Sequence, residues 1–217
     1  MSASFSASGV GNPDFIAQFD ELIRLRRDVR RFKPTSVEEA LVLEVIAATR
    51  FAPSVGLSEP TRLMRLQSEE IRAAVRANFE AANAKALAGY HGEQAHKYAG
   101  LKLAGLTEAP IQLAVYCDAA TEQGYGLGAH TMPETKNYST ACAVMLMWLA
   151  AAARGLGIGW VSIFDVAALN RLLGANQNWT FMGCLCIGRP EEQHFDPELQ
   201  RAGWQARRAD GPTIITR

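Results

Sequence analysis

The fold is decided by residues 139–164, STACAVMLMWLAAAARGLGIGWVSIF. The first sixteen residues are apolar on every helical face, and Gly155 follows them, which predicts a helix running through the middle of the protein. Its apolar run, 141–153, is shorter than the roughly 20 residues that cross a bilayer, so we expect no membrane span. A strand is predicted directly afterwards, over Trp160 to Phe164.

The rest of the chain alternates helices with short apolar strands, which predicts an α+β sandwich with a central mixed sheet around the buried long helix. Because no repeat or linker divides the pattern, we expect one domain over 14–217, after a flexible tail of residues 1–13. Strands are predicted at 62–66, 110–117 and 181–187; helix starts are predicted near Asp14, at Ser68 and Asp165, and at a capping box formed by Ser36 and Glu39.

Composition narrows the function classes. Lysine plus arginine and aspartate plus glutamate both number 22, so no global field favours nucleic acid or an anionic membrane. The N-terminal residues lack the basic start and apolar run of a signal peptide. Four cysteines do not form a disulfide scaffold, and the spacing of Cys184 and Cys186 suits one face of a strand. A cytoplasmic protein is expected.

The densest charge is the run Arg26-Arg27-Asp28-Val29-Arg30-Arg31. Guanidinium groups recognise phosphate through paired donors. The same cations would also complement the carbonyl end of a helix and point into water. The residues alone leave both interpretations open.

Three further motifs argue against particular kinds of site. The glycine runs at 124–128 and 155–159 lack the strand, G-x-G-x-x-G and helix order of a dinucleotide site. The four histidines show no metal-ligand spacing, so no metal is expected. Ser162 lacks the G-x-S-x-G context of a hydrolase and is expected inside a buried strand. The glycine-rich segment 122–133, here termed the lid, is expected to be a mobile loop.

Together these segments resemble the nitroreductase superfamily, and within it the flavin-cleaving 5,6-dimethylbenzimidazole synthase (BluB-type) branch. Order and spacing carry the resemblance, and an ordinary nitroreductase has serine where this chain has Asp28. The matching segments are 26–30, 52–56, Lys102-Leu103, Ala109-Pro110, 131–134, Tyr138-Ser139, 148–151, 157–163, 186–188 and Gly203-Trp204.

The resemblance implies a nitroreductase-like fold, a homodimer, and FMN at each subunit interface. It implies that the run around Val29 binds the cofactor, with Asp28 also handling protons. Ser162 would lie near the isoalloxazine as a second catalytic residue. The implied phosphate ligands are Arg26, Arg27 and Arg30, and the implied flavin contacts are Ser54, Lys102 and Leu103.

The implied reaction consumes reduced FMN and dioxygen and yields 5,6-dimethylbenzimidazole and erythrose 4-phosphate. A closed lid would leave little room for NAD(P)H, so a separate NAD(P)H-flavin reductase is expected. Two alternatives stay open: a conventional NAD(P)H-dependent nitroreductase or quinone reductase, and an idle flavin-binding protein. The chain departs from the family pattern at Glu59, Thr61, Ala104 and Ala129-His130.

Overall fold

A computed structural model describes residues 9–217, so residues 1–8 of the expected tail lie outside the described residues. The elements follow the expected alternation, with two short helices, α4 and α7, that the sequence pattern did not indicate. They are α1 (Pro13–Leu25), α2 (Glu39–Ala47), β1 (Thr61–Arg65), α3 (Glu69–Leu87), α4 (Gly92–Ala99), β2 (Ile111–Asp118), α5 (Thr135–Ala152), β3 (Gly157–Val161), α6 (Val166–Leu173), β4 (Trp179–Gly188) and α7 (Glu198–Arg201).

The four strands form one sheet in the order β1-β2-β4-β3, and each neighbouring pair is antiparallel. The four strands are therefore antiparallel throughout where a mixed sheet was expected, and an isolated parallel bridge joins Asp28 to Ile158 outside the strand pairs. This bridge attaches the arginine-rich segment to the outer edge of β3. The candidate functional residues therefore lie at the edge of the sheet formed by β3.

Helices cover both faces of the sheet. Along β4, Leu185 and Ile187 pack into a cluster with α2 and α5, whereas Cys184 and Cys186 pack into the opposite cluster with α3 and α6. This alternation follows from the two-residue period of a strand. The expected placement of the two thiols on one strand face is confirmed. Burial raises the pKa of Cys184 to about 12, so this thiol is a core group.

The central helix α5 is buried along one side, including Val144, Met147 and Trp148. Its other side is exposed along a stripe formed by Tyr138, Cys142 and Met145, at the spacing of one helical face. The expectation of burial all round is therefore wrong for a single chain. Of the helices within residues 9–217, none combines the length and apolarity that a membrane span requires.

The observed helix N-termini confirm some of the predicted capping residues and contradict others. Ser68 and Asp165 accept hydrogen bonds from the backbone amides three residues later, as predicted. The first helix is capped by Asn12, two residues before the predicted start at Asp14. The capping box of Ser36 and Glu39 is wrong. The Glu39 carboxylate instead accepts two hydrogen bonds from Arg65 on β1, and α2 begins without a side-chain cap.

Candidate active site

The arginine-rich segment lies against β3 at very close range. The Val29 amide donates to the Ile158 carbonyl at 3.1 Å. A Cβ atom at Gly159 would lie 2.1 Å from the Val29 carbonyl oxygen, and one at Gly157 would lie 2.6 Å from the Val29 side chain. The glycine run at 155–159 therefore serves close approach of two backbones, which explains its presence without a dinucleotide.

Both carboxylate oxygens of Asp28 are held by donors. One accepts from the Trp160 amide at 2.8 Å, and the other accepts from Nε of Arg30 at 2.8 Å. The Asp28 side chain is 32% exposed and that of Arg30 only 12%. Asp28 is thus fixed in orientation at the sheet edge while part of its side chain remains exposed.

Arg30 also connects this carboxylate to the Lys102 segment. Its guanidinium donates to the Lys102 carbonyl at 2.9 Å, and the Lys102 ammonium is paired with Glu108. Sequence reasoning did not identify Glu108. The Lys102 charge is therefore neutralised by Glu108, and its carbonyl is held by Arg30.

Arg26 and Arg27 differ from Arg30 in their partners. The Arg26 guanidinium lies over the Trp148 ring, 4.7 Å from its centroid, and the Trp148 indole donates to the Arg27 carbonyl. Arg27 donates to the Phe195 carbonyl. Within residues 9–217, no carboxylate oxygen lies within 4 Å of either guanidinium.

The electrostatics of this pair are those of an anion site. Burial lowers the pKa of both Arg26 and Arg27, and the positive charge of Arg207 lowers it further. Burial is the larger cause of the pKa decrease and the like charge of Arg207 the smaller one, and a nearby anion opposes both, as the Asp28 carboxylate already does in part for Arg26. Arg207 is a residue that sequence reasoning missed, since it lies in the C-terminal segment outside any helix or strand.

The structure corrects the placement of Ser162. Strand β3 ends at Val161, and Ser162 is exposed, because the chain turns there and Phe164 donates its amide to the Ser162 carbonyl. The expected strand over 160–164 and the expected burial of the hydroxyl are both wrong. Ser162 nevertheless follows Trp160 by two residues, so it lies on the same sheet edge as Asp28.

Ser54 does not join these residues within one chain. It precedes β1, at the edge of the sheet opposite β3, and three strand spacings of about 4.8 Å separate the two edges by about 14 Å. Its hydroxyl accepts from the Glu59 amide at 3.2 Å. The chain therefore brings together Asp28, Arg30 and Lys102, places Ser162 two residues after Trp160, and leaves Ser54 apart.

Fold and site define a family. The chain belongs to the nitroreductase family, whose model matches residues 23–189, and the expected nitroreductase-like fold is confirmed. The chain is 47% identical over 197 residues to 5,6-dimethylbenzimidazole synthase of Rhodospirillum rubrum, covering 91% of this chain and 93% of that protein. It is 49% identical over 185 residues to the 5,6-dimethylbenzimidazole synthase of Rhodobacter capsulatus, covering 85% and 89%.

A solved structure shares the fold at much lower sequence identity. Oxidized iodotyrosine deiodinase bound to FMN and 3-iodo-L-tyrosine superimposes with a TM-score of 0.69 at 18% identity. The match covers 91% of this chain and 97% of that one. At this identity the likeness shows the fold alone.

Proposed function

We propose that this protein is a 5,6-dimethylbenzimidazole synthase, which uses dioxygen to fragment reduced FMN, with 5,6-dimethylbenzimidazole and erythrose 4-phosphate among the products and the remaining pyrimidine-ring carbons released separately. The observation that carries the proposal is the Asp28 carboxylate, held by Trp160 and Arg30 beside two arginines without carboxylate partners. An ordinary nitroreductase has serine at this position. The identity to the two named synthases supports the same activity.

The donor set fits FMN. A phosphate dianion matches Arg26 and Arg27, because charge-assisted hydrogen bonds to guanidinium groups are strong and the pair lacks a carboxylate partner. Arg30 is already paired with the Asp28 carboxylate and also donates to the Lys102 carbonyl, whereas Arg27 donates only to backbone carbonyls, chiefly those of Arg26 and Phe195. We therefore assign the phosphate mainly to Arg26 and Arg27 and give Arg30 the role of positioning Asp28.

Reduced FMN supplies the electrons and the carbon skeleton of the product, and no metal is required. The protein's own contribution is positional and acid–base. Asp28 can accept or return a proton through a carboxylate lone pair that its two hydrogen bonds leave free, while those hydrogen bonds fix the orientation of the group. The Ser162 hydroxyl would help to orient the substrate, and the Lys102-Leu103 segment would contact it.

The proposed function is tested by supplying the protein with FMN, NADPH, a generic flavin reductase and air. Formation of 5,6-dimethylbenzimidazole, identified by mass, with matching loss of FMN supports the synthase. The conventional nitroreductase or quinone reductase predicts NADPH oxidation without the added reductase and without flavin loss. Absence of both reactions leaves a flavin-binding protein without turnover.

Arg26→Ala should separate the phosphate from the rest of the flavin. We expect FMN affinity to fall by about 1.5–3 kcal/mol, the range for hydrogen bonds to charged groups, and riboflavin affinity to stay unchanged. Arg30→Ala should weaken both ligands, because it releases Asp28 and the Lys102 segment. Titration calorimetry with both flavins measures the difference, and Arg171→Ala on α6 removes an exposed arginine as control. Equal losses of both flavins in Arg26→Ala would contradict the assignment.

A homodimer would supply the missing Ser54. Two helices expose apolar side chains that a second copy would cover: the α5 stripe with Met145, and on α1 the residues Phe15, Phe19 and Ile23. None of the described α1 side chains is buried. Self-association through such patches is the usual way that a twofold dimer forms.

Met145→Asp should therefore divide the dimer. Sedimentation of the parent should give twice the chain mass of 23.6 kDa, and the variant should sediment as a monomer with weaker FMN binding. Val166→Asp on α6 is the matched control, since Val166 and Met145 are both 41% exposed. A parent that sediments as a monomer in dilute solution would exclude the composite site.

A further inference from the structure

The lid is held against the loop that carries Ser54. Nε2 of Gln123 in the lid donates to the Leu57 carbonyl at 2.9 Å and to the Glu59 carboxylate at 2.9 Å. The Glu59 amide in turn donates to the Ser54 hydroxyl. A continuous set of hydrogen bonds thus connects the lid with the one predicted flavin contact on this edge of the sheet.

The backbones of the two segments also touch. A Cβ atom at Gly124 would lie 2.3 Å from the Gly56 carbonyl oxygen, and one at Gly56 would lie 2.8 Å from the Leu127 carbonyl oxygen. Among residues 9–217, the non-glycine residues with positive φ are Leu57, Glu59 and Tyr125, all within these two segments. Such conformations persist only where surrounding contacts impose them, and they cluster at functional sites.

We propose that Gln123 and Glu59 form a latch through which the lid and the Ser54 loop, residues 54–59, are positioned as one unit. The proposal rests on the proposed function, because Ser54 matters only if it faces a flavin. Gln123 and Glu59 are positioning residues. The latch keeps the lid closed whenever Ser54 is in place. A closed lid excludes water and NAD(P)H from the flavin, which favours flavin cleavage over ordinary reductase turnover.

Glu59 gives the latch a distinctive chemistry. It stands where the superfamily usually has glutamine, and a carboxylate accepts from Gln123 without the choice of orientation that an amide has. Glu59→Gln retains an acceptor oxygen, whereas Glu59→Ala removes it. Gln123→Ala removes both hydrogen bonds of the latch at once.

Hydrogen exchange on the full chain without flavin tests the latch independently of activity. In Gln123→Ala and Glu59→Ala, we expect amides in both 122–133 and 54–59 to exchange about three- to tenfold faster for each net hydrogen bond lost, so Gln123→Ala has the larger effect. Glu59→Gln should exchange like the parent. Thr131→Ala is the matched control, because the Thr131 hydroxyl bonds only to Gly128 within the lid.

Unchanged lid exchange in Gln123→Ala would overturn the latch, and faster exchange in the lid alone would overturn its coupling to Ser54. With flavin, reductase and air, latch variants should form less dimethylbenzimidazole per oxygen consumed and release more hydrogen peroxide, with rescue by Glu59→Gln. Parent-like yield in a variant with faster exchange would overturn the effect on specificity. A parent without product rejects the proposed function, while the exchange data still decide the latch.

Discussion

Asp28→Asn should lower the rate of 5,6-dimethylbenzimidazole formation by about 10²- to 10⁴-fold, the usual contribution of a positioned acid or base. The affinity for reduced FMN should fall by no more than about tenfold. The hydrogen bonds of Asp28 explain why FMN affinity should fall less than the reaction rate. Both Asp28 oxygens accept hydrogen bonds, so the asparagine NH₂ group must face a donor, either the Trp160 amide or Arg30. Stopped-flow product formation at saturating reduced FMN, with a separate binding titration, measures the two effects.

A rival explanation is that Asp28 acts only by holding Arg30. The double variant Asp28→Asn, Arg30→Ala distinguishes the two roles, since residues that act through one contact show non-additive effects. If Asp28 handles protons, the double variant should be slower than Arg30→Ala by most of the Asp28→Asn factor. If the double variant is as fast as Arg30→Ala alone, the acid–base role of Asp28 is wrong.

Local sequence signals predicted the framework of this fold well. The caps at Ser68 and Asp165 are contacts between neighbours in sequence, and β4 is defined by its own continuous apolar run. The Ser36–Glu39 capping box failed because a partner 26 residues away, Arg65, takes the Glu39 carboxylate. A strong non-local ion pair replaces a weaker local bond, and sequence spacing contains no information about that choice.

The candidate site was only partly predictable for the same reason. Asp28 and Arg30 could be selected from their motif, but the partner of Asp28 lies 132 residues away at Trp160. A signal for that contact was present in Gly157 and Gly159, because alternate glycines in a strand indicate close backbone approach. Ser162 was placed wrongly because the apolar residues after Val161 pack beyond the strand end, so apolarity alone did not mark where β3 stops.

Gly159→Ala should reveal how strongly the site depends on that backbone contact. The added methyl would lie 2.1 Å from the Val29 carbonyl oxygen, so the arginine-rich segment must move away from β3. We expect the free energy of unfolding to fall by about 3 kcal/mol, from overpacking and weakened hydrogen bonds. For a chain of this size that lowers Tm by about 6–12 °C. FMN affinity should fall with it, since the hydrogen bond from the Trp160 amide to Asp28 is lost.

The matched control is Gly100→Ala, at the end of α4. Its φ is −83° and the nearest atom to an added methyl is the Lys97 carbonyl oxygen at 3.6 Å, an ordinary contact. Alanine also has the higher helix propensity, so Tm and FMN affinity should match or slightly exceed the parent. Calorimetric scans measure Tm and flavin titrations measure FMN affinity for both variants. The two variants differ only in which glycine receives the added methyl group. Parent-like stability and FMN binding in Gly159→Ala would mean that the segment carrying Asp28 is not fixed by its contact with β3.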